Sequence, residues 1–225
     1  DKMKCKAAML KAKVPTVPGS PGLVKDADDA EKIANKIGYP VMLKSVYGGG
    51  GRGIRIVTSD KELREGYESV TGESMASVGK SAIIVEKFLE KTRHIEFQMC
   101  RDKHGNTVHI FERECSIQRR NQKLIEQTPS PVVDEEKREE IGEIVVKAAE
   151  AVDYTNLGTA EFLRADNGEF YFIEINARLQ VEHPISELVS GLDFVKLQID
   201  IANGEPLPFK QSDLKMNGYA IECRI

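Results

Sequence analysis

Glu161 and Glu174 stand on either side of Asn167-Gly168 in the run TAEFLRADNGEFYFIEIN. Asn-Gly favours a two-residue type I′ hairpin loop. With those two residues as the loop, Asp166 pairs with Glu169 and Glu161 faces Glu174. Like charges directly opposed on an antiparallel ladder destabilise it, and a divalent cation shared by the two carboxylates reverses that sign. An oxygen donor set of this kind suits Mg2+ or Mn2+ together with substrate phosphates. Asn176 adds an amide oxygen on the same face, while Ala160, Phe162, Ile173 and Ile175 are expected to point into a core. The competing reading is two solvated glutamates on an exposed sheet face.

Past Asn176 the chain reads RLQVEHP. In an extended run Arg178, Gln180 and Glu182 share one side. A forked cation, an amide and a carboxylate together suit a small planar oxyanion that is held and then deprotonated. SIQRRNQK offers Arg119, Arg120 and Lys123; by composition alone it reads as a solvated charge run. His94, taken alone, reads as a strand histidine with a local partner. EKFL, with Glu86, Lys87, Phe88 and Leu89, alternates polar and apolar groups where a hinge could sandwich an adenine ring.

A third feature is YPVMLKSVYGGGGRGIR, residues 39–55. Gly48, Gly50 and Gly53 match a dinucleotide fingerprint in spacing, but a β-branched strand follows where that motif needs a helix. No Lys followed by Ser or Thr closes the run as a P-loop requires. Strand, glycine loop, strand remains: backbone N–H groups able to close over phosphates, with Lys44 at the end of the first strand. A mobile linker is the alternative, although linkers usually carry serine.

These groups need elements to position them. A helix is expected over the first dozen residues, then a proline-punctuated linker. Asp28 and Glu31 have capping-box spacing for a helix ending at Gly38, and Ser59 with Glu62 repeats the pattern. Strands flank the glycine run, and SAIIVEKFL closes a small unit placed at residues 16–88. Residues 1–15 are expected to join the larger unit, 89–225. That unit opens with strands Arg93 to Arg101 and Thr107 to Cys115 joined by the turn-rich DKHGN. A helix from about Glu135 to Val152, capped by Asp134, precedes the glutamate hairpin. A helical stretch from Ile185, interrupted by Gly191, ends at Gly204.

The chain has 225 residues, 30% of them charged and 40% hydrophobic, with a formal charge of −4. This is an ordinary globular composition. The acidic balance argues against nucleic-acid or membrane-surface partners, and no apolar run approaches a membrane span. Cys5, Cys100, Cys115 and Cys223 form no CxxC pair, so reduced thiols in a cytosol-like compartment are expected. The start at Asp1 and the end inside a strand-like ECRI lead to the expectation of a piece of a longer protein.

The motifs Asp1-Lys2, YPVMLK with GGGGRG, EKFL, RHIEFQ, ECSIQRRNQK, GTAEFL, FIEINARLQVEHP and ECRI span nearly the whole chain. In this combination it resembles the ATP-grasp domain of the biotin carboxylase component of biotin-dependent carboxylases, the acetyl-CoA, propionyl-CoA and pyruvate carboxylase group. The resemblance implies an α+β ATP-grasp fold, with a small glycine-loop lid on a larger antiparallel-sheet body. It also implies a ligase that uses ATP, bicarbonate and Mg2+ or Mn2+ to form carboxyphosphate and carboxylate carrier-borne biotin. By matching position, Lys2, Lys44, Gly50, Gly51, His94 and Gln118 resemble ATP contacts. Glu86, Lys87 and Leu89 resemble the adenine hinge, with Leu163 beneath the ring. Glu161, Glu174 and Asn176 match the metal site, and Lys123, Arg178, Gln180 and the Val181 backbone match the bicarbonate pocket. Glu182 matches the general base, and Arg224 the cation facing the biotin enolate.

The implied partners are a biotin carboxyl carrier domain or protein, a carboxyltransferase component and further copies of the full-length chain. The implied compartment is the cytoplasm, or the mitochondrial matrix in a eukaryote. Asn121 stands where many members have histidine, and Val46 and Tyr47 where smaller residues are common. The family continues on both sides of this stretch, so the isolated chain is expected to fold and bind nucleotide but to turn over biotin poorly. The alternatives are another ATP-grasp ligase, such as one half of carbamoyl phosphate synthetase, and a non-catalytic nucleotide-binding module.

Overall fold

A computed structural model describes residues 2–47, 53–120 and 122–225, with Lys2 and Met3 described as backbone only. The expectations for Gly50, Gly51, Asn121 and the Lys2 side chain therefore lie outside the described residues. Two compact units are present, one of Asp1–Met3 and Val17–Glu90, the other of Lys4–Thr16 and Lys91–Ile225.

In the first unit, β1 (Val41–Ser45) pairs antiparallel with β2 (Ile54–Val57) on one side and β3 (Ile83–Lys87) on the other. Helices α2 (Ala27–Ile37) and α3 (Asp60–Val78) supply Ala30, Ala34, Leu63 and Val70 to a core shared with Val41, Leu43, Val57 and Val85. Gly66 lets α3 approach closely, because a Cβ there would meet Val57 and Leu43 at 3.1 and 3.2 Å. Ser59 caps α3 as expected, accepting from the Glu62 N–H. For α2 the cap is Asp26, not Asp28: the Asp26 carboxylate accepts from Asp29 N–H at 2.8 Å. Asp28 then sits in the first turn, where its charge suits the positive end of the helix.

The second unit is a six-stranded antiparallel sheet in the order β8-β7-β4-β5-β6-β9. The strands are β4 (Arg93–Arg101), β5 (Thr107–Arg119), β6 (Gln122–Thr128), β7 (Asn156–Arg164), β8 (Phe170–Asn176) and β9 (Ala220–Cys223). On one face α1 (Lys2–Lys11, from Lys4 onward in this unit) and α4 (Glu135–Ala151) cover Ile95, Phe97, Met99, Ala160 and Phe162. Phe162 meets Phe97 and Phe172 edge-on at 6.1 and 5.8 Å. Asp134 caps α4 as expected. The other face carries α5 (His183–Ser190) and α6 (Phe194–Ala202), the latter packed on Cys100, Ile110 and Leu157. SIQRRNQK spans the end of β5 and the start of β6: Gln118 and Lys123 are direct partners and partly buried, while Arg119 and Arg120 are exposed, as a solvated charge run would have them.

The glutamate hairpin differs from expectation in a way that leaves its central pair intact. Its loop has three residues, Asp166 to Gly168, closed by Ala165 N–H donating to Glu169 O at 2.8 Å, with Gly168 at φ 87°. Gly168 takes the left-handed position that ends a three-residue hairpin loop. Asp166 therefore does not pair with Glu169, and Phe162 faces Phe172. A register irregularity then passes over Ile173, which is 39% exposed rather than in the core, and Glu161 faces Glu174 after all. The longer loop and the bulge shift the register by one residue in opposite directions and cancel.

Candidate active site

Alternation along the strands puts His94 and Glu96 of β4, Arg113 and Cys115 of β5, and Thr159, Glu161 and Leu163 of β7 on the sheet face opposite the Phe97–Phe162 core. Lys123 of β6 reaches into this group. Its ammonium lies 2.5 Å from Glu96 Oε2, 2.6 Å from Glu182 Oε1 and 3.1 Å from Glu161 Oε1. Burial alone would lower the Lys123 pKa, but the facing carboxylates raise it well above the ordinary lysine range.

Glu182 is 2% exposed and lies between two cations, with Arg224 Nη2 2.9 Å from its Oε2. Burial works to raise its pKa; the Lys123 hydrogen bond and charge outweigh this and hold it below the ordinary carboxylate value. Glu161 behaves the same way. Burial is opposed first by His94 and then by Lys123, and the carboxyl is held well below its usual range. Its Oε1 also accepts from Gln180 Nε2 at 3.1 Å. The Gln118 amide lies 2.8 Å from His94 Nδ1, and with Nδ1 accepting, the ring proton sits on Nε2. That nitrogen lies 3.2 Å from Glu161 Oε2, outside hydrogen-bond alignment.

These groups share one cavity of about 620 Å³, whose lining includes Glu161, Glu174, Asn176, Gln180, Glu182 and Arg224. The ladder places Glu161 opposite Glu174 and Thr159 opposite Asn176. Two carboxylates and an amide oxygen on the wall of one cavity are a donor set that fits a hard divalent cation.

The segment after β8 is not extended throughout. His183 N–H donates to Gln180 O in a turn, and Glu182 sits at φ −76°, ψ 7° immediately before α5. The run is therefore not extended, yet Arg178, Gln180 and Glu182 all line that cavity; Gln180 and Glu182 are buried, while Arg178 is exposed with its guanidinium 3.5 Å from Leu179 O. Val181 is 62% exposed. In the first unit Lys44 Nζ pairs with Glu86 Oε2 at 2.6 Å, and Lys87 Nζ donates to the carbonyls of Gly38 and Tyr39 at the end of α2. Leu89 is half-buried just past β3.

Sequence reasoning missed Glu96, Arg113 and Thr159. Glu96 had a signal, since the alternation of RHIEFQ puts it beside His94. Arg113 had only a weak one: in FERECS it shares a face with Phe111 and Cys115, opposite Glu112, Glu114 and Ser116.

Residues 1–210 match the family model described as carbamoyl-phosphate synthase L chain, ATP binding domain. Over all 225 residues the chain is 52% identical to the 2-oxoglutarate carboxylase small subunit of Hydrogenobacter thermophilus, covering 48% of it. It is 51% identical to the biotin carboxylase of a Nostoc species, covering 50%. Among solved structures, the biotin carboxylase domain dimer of the Hydrogenobacter enzyme, in complex with MgADP, ADP and bicarbonate, aligns with a TM-score of 0.93. That alignment has 51% identity and covers the whole of this chain and 49% of the other. The chain thus spans about half the length of the curated relatives it matches.

Proposed function

The chain belongs to the carbamoyl-phosphate synthase L chain ATP-binding family, and from that premise we propose that it is the ATP-grasp part of a biotin carboxylase, carboxylating carrier-borne biotin with ATP and bicarbonate. One observation carries the reading: a single cavity presents both the Glu161–Glu174 pair and a Glu182 carboxylate held 2.6 Å from Lys123.

Glu182, Lys123, Arg178, Gln180 and the Val181 N–H form the bicarbonate site. Glu182 is ionised at neutral pH, so it is ready to take the bicarbonate proton. A bicarbonate oxygen then bonds to the γ-phosphorus of ATP as the bond to the β-phosphate oxygen breaks, giving carboxyphosphate and ADP. The C–O bond of carboxyphosphate breaks to give CO2 and phosphate; the phosphate takes the biotin N1 proton, and N1 of the resulting enolate, its charge offset by Arg224, bonds to CO2. Glu161, Glu174 and Asn176 hold the metal, which when bound supplies charge neutralisation for the phosphates. In the first unit Lys44, Lys2, Gly50 and Gly51 are assigned to the nucleotide phosphates and Glu86, Lys87 and Leu89 to the adenine; in the second unit His94, Gln118 and Leu163 are assigned to the nucleotide. A glycine run accepts its entropic cost so that backbone N–H groups can approach phosphate and exclude water from a labile intermediate. The partners are a biotin carrier and a carboxyltransferase, with the full-length chain assembling with itself in the cytoplasm or mitochondrial matrix. Among the described residues, no helix is long and apolar enough to cross a membrane.

The test is ATP cleavage by the full-length protein with bicarbonate and biotin. Glu182→Gln is expected to lower the bicarbonate-dependent rate by about a hundredfold or more; an unchanged rate would overturn the base assignment. A second reading follows from the description of the matched family: ammonia-dependent carbamoyl phosphate formation, with no response to biotin, would establish it instead.

A further inference from the structure

Arg113 is the largest fully buried side chain among the described residues. A guanidinium has five N–H donors and no acceptor, and here every donor has a partner. Nε donates to Glu96 Oε1 at 2.6 Å. Nη1 donates to Gln98 Oε1 at 2.7 Å and Ser186 Oγ at 2.9 Å. Nη2 donates to Thr159 Oγ1 at 3.1 Å and Gln180 Oε1 at 2.9 Å.

The Gln180 contact has a consequence for polarity. A glutamine amide can turn over, exchanging its oxygen for its NH2 at little cost when its neighbours do not discriminate. Here they do. Arg113 can only donate, so the amide end facing it is oxygen; the Glu161 carboxylate, 3.1 Å from the other end, accepts. The NH2 is thereby turned toward the cavity that Gln180 lines. One of its hydrogens goes to Glu161, and the second is a donor for an oxyanion. Arg113 also takes Glu96 Oε1, leaving Oε2 to hold the Lys123 ammonium.

Resting on the bicarbonate reading above, we propose that Arg113 is a positioning residue for that reaction: it fixes the Gln180 amide so that N–H, not oxygen, faces bicarbonate. Neutralising the buried Glu96 is a structural role that Arg113 also fills, so the test must read more than folding.

In the full-length protein, Arg113→Lys retains the charge but loses the fork. The KM for bicarbonate in ATP cleavage is expected to rise roughly tenfold or more, while the KM for ATP changes by less than about twofold. Gln180→Leu is expected to give a similar rise, and the double variant should be no more than about twofold worse than either single change, because both remove the same donor. Gln180→Glu keeps an oxygen on Arg113 and puts another toward the cavity. It too is expected to raise the bicarbonate KM about tenfold with the ATP KM unchanged, and it decides the matter if Arg113→Lys does not fold. Additive effects, an equal rise in both KM values, or an unaltered bicarbonate KM in Gln180→Glu would overturn the positioning role in an active wild type. A wild type without bicarbonate-dependent ATP cleavage would instead remove the functional reading beneath it.

Discussion

In the three-stranded unit, the Lys44 ammonium, with 32% of its side chain exposed, reaches Glu86, with 12%, and Lys87 rests on the carbonyls of Gly38 and Tyr39 just past α2. In the six-stranded unit, Lys123 is shared among three carboxylates and Arg113 among five side chains, with 13% and 0% of their side chains exposed. The difference is one of commitment. A partly exposed ion pair contributes about 0–1 kcal/mol, so Lys44 can exchange Glu86 for a phosphate with little loss. A buried cation among several carboxylates cannot leave without stranding charge, at about 3–5 kcal/mol. The first unit holds its cations in a partly exposed pair and on backbone carbonyls; the second holds its own in a buried, fully partnered network.

Lys123→Met is the strongest way to break this contrast. Removing the ammonium leaves Glu96, Glu161 and Glu182 facing one another, and a stability loss of about 3–5 kcal/mol is expected in denaturant unfolding. The pKa of Glu182 should rise as well, moving the acid limb of the activity profile to higher pH. A loss under about 1 kcal/mol would mean that Lys123 is no more committed than Lys44.

Acid sensitivity sharpens the same point. His109 is buried, and its pKa is pushed down to about 4, first by desolvation and with Arg138 adding to it, against the opposing pull of Glu112. Its folded pKa lies below the ordinary 6.5, so the unfolded chain binds the extra proton first and stability falls as pH drops from about 6.5 to 4. The loss on this account is about 3 kcal/mol. Glu161 and Glu182, whose folded pKa values are depressed, stabilise above about pH 4.5 and lose that contribution as pH falls through their folded values. Lys123, with a raised pKa, contributes fully below about 10.5 and loses its share only above that. Urea unfolding at pH 7 and pH 4.5 checks this, with His109→Gln expected to lose less than the wild type. Equal losses would remove His109 as the cause. The smallest effect belongs to Lys44→Met, which should change unfolding stability by less than about 1 kcal/mol while raising the KM for ATP.

Likeness to biotin carboxylase domains at a TM-score of 0.93 bears out the ATP-grasp fold that the motifs implied. Elements with a strong local signal were legible: the strands around the glycine run, the caps at Ser59 and Asp134, and α4 with its stripe of Ile141, Val145 and Ala148. The Glu161–Glu174 pairing was legible by luck as much as by rule, since a Gly168 loop and a bulge at Ile173 offset each other. Neither has a clear local signature, because Asn-Gly suits two- and three-residue loops alike. The turn at Glu182 was hidden for a different reason. Its conformation accompanies long-range contacts to Lys123 and Arg224, 59 and 42 residues away in the chain. Arg113 was hidden most completely. A charged residue between two glutamates looks like surface, and only the assembled sheet shows that its five partners come from β4, β7, α5 and the segment between.

The most direct measurement follows Mn2+ by electron paramagnetic resonance in the full-length protein with a non-hydrolysable ATP analogue, comparing wild type with Glu174→Gln. If the two glutamates of the ladder grip the metal, affinity for Mn2+ should weaken by roughly tenfold or more while the thermal unfolding midpoint stays close to that of the wild type. Equal Mn2+ affinity in the two proteins would contradict the account.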